Sequence, residues 1–235
     1  PTQKSMTQTQ IVRISPDTSE LLLVFDRANT VIGKGALGID VSRHNGEVNW
    51  PAMAAAGVKF AGIRATLGTT GIDLQFARNW VEAKRAGIAR FAYHYFVNGL
   101  SGLAQFNNFS MVLGSDFGEM SPVCDVEPRA VSANPTTYET IDRIPNTAEI
   151  LAWLVKCKEV LARDPLIYTN KFAWDWCTTV PAWSTQYKLW HAQHTTAQTP
   201  RINSPWTSCE IWQYSQTGNI GGTSPLDLNR YGPYP

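Results

Sequence analysis

The sequence predicts an α/β protein built on an irregular, TIM-like β/α barrel of eight strands. Three observations lead to this fold class. Short apolar runs of strand length recur along the chain, helical patterns separate the first five, and the last three follow one another without room for full helices. A closed barrel accommodates this order. The alternative, a doubly wound open sheet, would place a glycine-rich phosphate loop after an early strand, and the sequence has none there.

Composition limits the classes of function. The 235 residues are 43% hydrophobic and 17% charged, enough for one large domain or two small ones. A net charge of +1 gives no strong basic field for nucleic acid. No apolar run approaches the roughly 18–20 residues of a membrane span. The nine Trp and eight Tyr suit a carbohydrate-binding surface as well as ordinary core filling.

The first half of the chain alternates strands with helices. The strand at 37–42 alternates in polarity, and Asp40 falls on its polar face. The helix at 49–57 has Asn49 as its N-cap and Gly57 as its stop. The next predicted elements are a strand at 59–66, a helix at 73–87, a strand at 89–96 and a helix at 101–114.

The second half becomes irregular after the fifth strand. The fourth strand is SPVCDVEP at 121–128, and Asn146 begins a long helix with Glu149 in a pattern typical of a capping box. The remaining predicted elements are a strand at 165–170, a short helix at 171–178, and strands at 187–193, 210–216 and 225–231. The last gap, TGNIGGTS at 217–224, is too short and glycine-rich for a crossover helix. It therefore predicts a hairpin, in which the last strand runs antiparallel.

Two segments stand outside this plan. Residues 1–36 read as two short strands around a turn, which predicts a β-hairpin or arm that packs on the barrel or meets a partner. The predicted domains are therefore an N-terminal extension, 1–36, and a barrel domain, 37–235. The segment 129–146 is a long loop after the fourth strand, where barrel loops often shape an active site.

The four cysteines, at positions 124, 157, 177 and 209, show no CxxC spacing. A zinc site or a thioredoxin-like motif is therefore not indicated. Buried free thiols are the favoured interpretation, and a single disulfide stays open because the sequence cannot choose the pair.

Four acidic residues are predicted to meet at the barrel mouth. Asp40 ends the first strand, Asp125 and Glu127 end the fourth, and Asp227 begins an antiparallel eighth strand. Barrel enzymes carry their chemistry at the C-terminal ends of the parallel strands. Apolar residues flank each acid at the alternate positions, so the four carboxylates should face inward around one pocket.

Four carboxyl groups around one pocket fit two kinds of chemistry. Hard cations bind carboxylates, and glycoside hydrolysis uses two acids with separated pKa values. Close carboxylates raise one another's pKa, so a protonated Glu127 could donate to a leaving glycosidic oxygen. The predicted substrate-binding residues are the aromatic side chains near the strand ends together with two polar ones: Tyr93, Tyr95, Tyr168, Trp190, Arg64 and Gln213.

Five motifs carry a family resemblance over residues 37–231. They resemble motifs of glycoside hydrolase family 25, the Chalaropsis-type lysozymes or N-acetylmuramidases. The motifs are GIDVSRHNG, YHYF, CDVEP, IYTN, and IWQYSQTGNIGG followed by LDLNRY. The resemblance implies an irregular barrel of five β/α units and three further strands. It also implies hydrolysis of the β-1,4 bond between N-acetylmuramic acid and N-acetylglucosamine in bacterial peptidoglycan, with no metal or organic cofactor.

The resemblance also implies roles for the four acids. Glu127 is the acid/base, and Asp125 orients and polarises the substrate's 2-acetamido group or stabilises the charged intermediate. Asp40 and Asp227 match the remaining acids of the pocket. Retention of anomeric configuration is expected, whether the nucleophile is a carboxylate or the substrate's acetamide.

The sequence departs from the family pattern at several positions. Leu67 stands where relatives commonly carry an acid, which should alter contacts at one subsite. His191 and His194 replace an apolar residue and a Tyr, and both are predicted to be structural or rim residues. Residues 1–36 have no family counterpart.

The N-terminus, PTQKSMTQTQ, is polar and unlike a signal peptide. This favours a phage-encoded lysin that acts on the bacterial cell wall, released from the host cytoplasm or carried on the virion, over a secreted bacterial enzyme. Two other functions stay open. One is a non-catalytic peptidoglycan-binding barrel, and the other is a virion structural or adaptor protein with virion or self-association through residues 1–36.

Overall fold

The computed structural model describes residues 32–127, 145–175, 177 and 180–235. The hairpin predicted within 1–36 lies outside the described residues up to position 31. The long loop predicted at 129–146 lies outside them except for its last two residues. Both assignments therefore stay predictions.

The described residues contain nine strands and five α-helices. The strands are β1 (Leu37–Val41), β2 (Phe60–Leu67), β3 (Gly71–Ile72), β4 (Ala89–Tyr95), β5 (Val123–Asp125), β6 (Leu166–Asn170), β7 (Leu189–Ala192), β8 (Cys209–Ile220) and β9 (Thr223–Tyr234). The helices are α1 (Trp50–Ala55), α2 (Phe76–Arg85), α3 (Gly102–Leu113), α4 (Thr147–Leu161) and α5 (Lys171–Asp175). Among these helices, none is both long and apolar enough to cross a membrane.

Eight of the strands close into a barrel. Seven run parallel in the order β1, β2, β4, β5, β6, β7, β8, and β9 closes the ring antiparallel to both β8 and β1. The short β3, which the sequence analysis did not predict, pairs antiparallel with the end of β2 outside this ring. The predicted fold class and the antiparallel last strand are confirmed.

Helix boundaries follow the predicted caps with one exception. The Asn49 side chain accepts a hydrogen bond from the Ala52 amide at 3.1 Å, and Asn146 accepts one from the Glu149 amide at 3.4 Å. The capping box predicted for α4 is wrong in its second half. The Glu149 carboxylate instead accepts from the Gly102 amide at 2.6 Å, and so joins α4 to the start of α3.

The gap predicted as a loop at 217–224 is mostly strand, which corrects the prediction. β8 continues to Ile220 and β9 begins at Thr223, so only Gly221 and Gly222 form the turn. Their φ angles of 59° and 84° lie in the left-handed region, which suits glycine in a two-residue hairpin. The β8–β9 ribbon therefore extends past the barrel mouth and forms part of its rim.

Aromatic rings fill the lower interior of the barrel. Phe60, Phe91 and Trp190 are fully buried there, and Phe91 contacts Trp190 edge-on at 5.1 Å. A Cβ atom at Gly62 would lie 2.6 Å from the Phe91 ring, so glycine leaves the space that this ring occupies. Because the interior is packed below, the open space for a ligand lies at the mouth.

The outer faces of the strands pack against the helices. Cys124 on β5, Cys157 on α4 and Cys209 on β8 are buried free thiols, as the favoured interpretation predicted. Burial raises the pKa of the Cys124 thiol well above its usual value, so this group stays neutral.

Candidate active site

A cavity of about 670 Å³ opens at the end of the barrel where the parallel strands finish. Its wall brings together nine of the ten predicted site residues: Asp40, Asp125, Glu127, Asp227, Arg64, Tyr93, Tyr168, Trp190 and Gln213. The tenth, Tyr95, lies at the end of β4 beside Asp125 and is absent from the described wall residues. Its substrate-binding role stays a prediction.

Strand direction explains how the four acids meet. Asp40 is the fourth of the five residues of β1, and the antiparallel β9 places Asp227 directly opposite it in register. Asp125 is the last residue of β5, and Glu127 follows two residues later, beyond the strand. Asp40 and Asp125 are almost fully buried, whereas Glu127 and Asp227 are partly exposed.

Two side-chain amides fix the orientation of Asp40. Its Oδ2 accepts from Gln213 Nε2 at 2.9 Å and from Asn229 Nδ2 at 2.7 Å. Each amide is itself held by an aromatic side chain. Tyr168 donates its hydroxyl to Gln213 Oε1 at 3.0 Å, and Trp190 donates its indole N–H to Asn229 Oδ1 at 2.7 Å. Asp40 is therefore held rigidly in the cavity floor.

Burial makes Asp40 and Asp227 weak acids. Burial raises the pKa of Asp40 to about 8, and the neighbouring Asp227 carboxylate adds to this rise. Burial also raises the pKa of Asp227 above its usual range. Because ionising both of two close carboxyl groups is energetically unfavourable, this pair retains a proton near neutral pH.

The pKa values of Asp125 and Glu127 are also raised, but by a different combination of causes. Burial raises the pKa of Asp125 well above its usual range, and the charges of Glu127 and Asp40 add to the rise. Asp125 Oδ1 is buried and has no hydrogen-bond partner among the described residues. The pKa of Glu127 is raised to about 7. Burial is the largest cause of this rise, and the negative charge of Asp227 is the second. Burial and the charge of Asp227, not repulsion from Asp125, therefore raise the pKa of Glu127 far enough for a protonated fraction to be present near neutral pH.

One cation opposes these rises. The positive charge of Arg64 on β2 lowers the pKa of both Asp125 and Glu127. Arg64 Nε donates to Asp73 Oδ2 at 2.8 Å, and Asp73 is itself held by the backbone amides of Arg43 and Gln75, each at 3.0 Å. Arg64 Nη2 is buried without a partner in the described part of the chain, so it remains available to a ligand.

Sequence reasoning missed two residues that support this site. Asn229 lies two residues after Asp227 on the same inner face of β9, and this alternation was a signal that could have found it. Asp73 lies in the turn between β3 and α2, and no motif in the sequence marks it as the partner of Arg64.

The aromatic side chains form the floor of the cavity. The ring centroids of Tyr168 and Trp190 lie 4.5 Å apart, and those of Tyr93 and Trp190 lie 5.9 Å apart. Only 1% of the Trp190 surface is exposed, too little for a ring face to stack on a sugar. These rings therefore support the polar groups of the site more than they present a stacking platform.

The two histidines occupy the positions that their prediction assigned to them. His191 is fully buried, and its Nε2 lies 3.0 Å from the carbonyl oxygen of Arg201. Burial lowers its pKa, so this ring is neutral and structural. His194 is exposed at the rim, with its Nε2 3.1 Å from Gln213 Oε1.

The arrangement places two partly exposed acids, Glu127 and Asp227, above a set of buried polar groups. A protonated Glu127 can give its proton to a leaving oxygen, and the buried carboxyl groups can stabilise positive charge that develops beside them. Among the described residues, no group of three or more His, Cys, Asp or Glu side chains is arranged to hold a metal ion. These properties fit acid-catalysed cleavage of a glycosidic bond.

Comparison with known proteins points in the same direction. The profile of the glycosyl hydrolases family 25 matches residues 39–223. Lysozyme M1 of Streptomyces globisporus is 34% identical over 209 residues, which cover 84% of this chain and 68% of that protein. An N,O-diacetylmuramidase of Chalaropsis sp. is 27% identical over 199 residues, which cover 80% of this chain and 91% of that protein.

The fold has close counterparts among solved structures. The crystal structure of the bacterial lysozyme from Streptomyces coelicolor superposes with a TM-score of 0.71 at 30% sequence identity. The match covers 84% of this chain and 92% of that structure. The predicted barrel with its three additional strands is therefore an arrangement that this lysozyme shares.

Proposed function

The chain belongs to glycosyl hydrolase family 25 and is a glycoside hydrolase that acts on peptidoglycan, and from this we propose that it is a lysozyme with Glu127 as its acid/base. The bond cleaved is the β-1,4 linkage between N-acetylmuramic acid and N-acetylglucosamine. One observation carries this proposal: Glu127 is partly exposed in the cavity, with a pKa of about 7, beside two buried acids.

In the first step, Glu127 gives its proton to the glycosidic oxygen as the bond from that oxygen to the anomeric carbon breaks. A nucleophile on the opposite face forms a new bond to the anomeric carbon. In the second step, the Glu127 carboxylate takes a proton from water, and the oxygen of that water displaces the nucleophile. Because each displacement inverts the anomeric carbon, two successive displacements retain its configuration.

The electrostatics of the site support the substrate's acetamide oxygen as the nucleophile. The pKa of Asp40 is raised to about 8 and that of Asp125 well above its usual range, so both carboxyl groups are poor nucleophiles near neutral pH. Asp125 Oδ1 has no partner among the described residues and can orient the acetamide. Asp40 and Asp227 complete the polar wall that faces the developing charge.

Mass spectrometry of the products from purified peptidoglycan tests the proposed bond. We expect every new reducing end to be N-acetylmuramic acid, because the acid/base protonates the oxygen that this sugar shares with N-acetylglucosamine. New reducing ends of N-acetylglucosamine would instead identify a glucosaminidase and contradict the proposal.

Activity should fall as the pH rises through the pKa of Glu127, about 7, because the acid must be protonated at the start of the reaction. Arg64→Met removes the positive charge that lowers this pKa, so the alkaline limb of the pH–rate profile should move to higher pH. Arg85→Met, which removes an exposed charge on α2, is the matched control and should leave that limb in place. A limb that moves to lower pH in Arg64→Met would contradict the assignment of Glu127 as the acid.

The division into an extension, 1–36, and a barrel, 37–235, is also part of the proposal. We also propose that the protein is a phage-encoded lysin, which reaches the cell wall after release from the host or on the virion. The adaptor function of residues 1–36 stays a prediction because it falls mainly outside the described residues.

A further inference from the structure

A second groove lies on the outer face of β8 and β9, and its described lining residues come from these two strands and from residues 194–198. Its volume is about 820 Å³, and we call it the outer groove. Trp212, Tyr214 and Arg230 line its floor. His194 and Gln216 belong to the wall of this groove and also to that of the catalytic cavity, so the two spaces adjoin at the rim.

The outer groove presents a cation in a fixed position. The Arg230 guanidinium lies 5.0 Å from the centroid of the Tyr214 ring, and its Nη1 donates to the Gly35 carbonyl at 3.3 Å. The side chain is exposed, and no ion pair links it to a carboxylate in the part of the chain that the structure describes. Because Arg230 already covers a face of Tyr214, this ring supports the guanidinium instead of offering a platform to a sugar.

The other groups around the groove favour an anion. The lining residues that the structure describes include hydroxyl and amide side chains, from Thr195, Gln198, Ser215 and Thr217, and none of them is Asp or Glu. A second cation lies nearby, since Lys34 Nζ is 5.5 Å from the ring centroid of Tyr234, which also lines the groove. A guanidinium fork beside hydroxyl groups matches the geometry of a carboxylate.

We propose that the outer groove binds a carboxylate of the peptide attached to the glycan strand, with Arg230 as its main contact. This inference rests on the proposed function, because it takes the sugars of the same polymer to occupy the catalytic cavity. The shared wall at His194 and Gln216 places the two ligand regions next to each other. Peptide recognition would then add affinity for the peptide-bearing polymer without touching the reacting atoms.

The test measures binding by calorimetry in the Glu127→Gln background, so that the ligand is not consumed. One probe is soluble glycan fragments that retain their peptides, and the second is the same fragments after an amidase has removed them. Arg230→Gln should weaken binding of the peptide-bearing fragments about three- to tenfold, typical of a partly exposed charged contact, and leave the peptide-free fragments unaffected. Arg201→Gln, which removes an exposed arginine from the segment between β7 and β8, is the matched control and should change neither.

Equal weakening for both fragments, or no weakening for either, would overturn the proposal. A third probe, peptide-free wall fragments that keep their phosphate polymers, separates a carboxylate from a phosphate ligand. A selective loss with that probe would also overturn it. Release of new reducing ends by the wild-type enzyme is measured separately, so a failure of the proposed function is distinguishable from a failure of this inference.

Discussion

Replacement of Glu127 by Gln is expected to lower the rate of peptidoglycan hydrolysis by about 10²–10⁴-fold, the usual contribution of a general acid. Glutamine keeps the size and the hydrogen-bonding shape of the side chain but has no proton to give. The loss should appear in kcat, because the rest of the cavity wall remains to bind the polymer. The measurement is clearing of a peptidoglycan suspension, with circular dichroism of the same sample to show that the fold is intact.

Glu159→Gln is the matched control for this change. Glu159 is 57% exposed on α4 and forms a surface ion pair with Lys156, so the same chemical substitution should leave the rate unchanged. Clearing by Glu127→Gln at the wild-type rate would remove this residue from the mechanism.

Trp153→Ala is expected to lower the free energy of unfolding by about 3–5 kcal/mol, the usual cost of truncating a buried tryptophan. Trp153 on α4 is fully buried and stacks on His94 of β4, with ring centroids 5.7 Å apart. Its ring also contacts Phe106 and Phe109 of α3 at 5.9 and 5.3 Å. Truncation would leave a cavity between two helices and the barrel wall. Since domains are stable by only about 5–15 kcal/mol, the variant should unfold at a markedly lower denaturant concentration.

Val155→Ala provides the comparison on the same helix. Val155 is 42% exposed, and its truncation should change the free energy of unfolding by no more than about 0.5 kcal/mol. Denaturant titration of both variants checks the contrast. Equal stability of Trp153→Ala and Val155→Ala would show that α4 does not depend on this contact.

Local patterns predicted most of the fold because each depends on neighbours in the sequence. The alternation around Asp40 placed β1, and Asn49 and Gly57 bounded α1 as predicted. The hairpin after β8 was predicted by its glycines, but its length was not. Residues 217–220 read Thr-Gly-Asn-Ile, which has no clear strand pattern, and they form strand because β9 supplies hydrogen-bond partners.

The candidate site was predicted less completely than the fold. The resemblance and the strand ends identified the four acids, and the cavity wall contains all of them. The polar residues that position the site were harder to find. Asp73, the ion-pair partner of Arg64, lies in a turn that no sequence motif marks. The cause of the raised pKa of Glu127 also differed from the expectation, because burial depends on everything packed around the group.

The sequence by itself determined the strand and helix types, the barrel class and which acids face inward, because side-chain alternation and capping are properties of a few adjacent residues. Only the tertiary structure decided which groups touch. It brings Asp40 of β1 within hydrogen-bonding distance of Asn229, 189 positions away along the chain, and it sets the burial that controls each carboxyl group. Such contacts arise when the barrel closes, and closure depends on the packing of the whole chain at once.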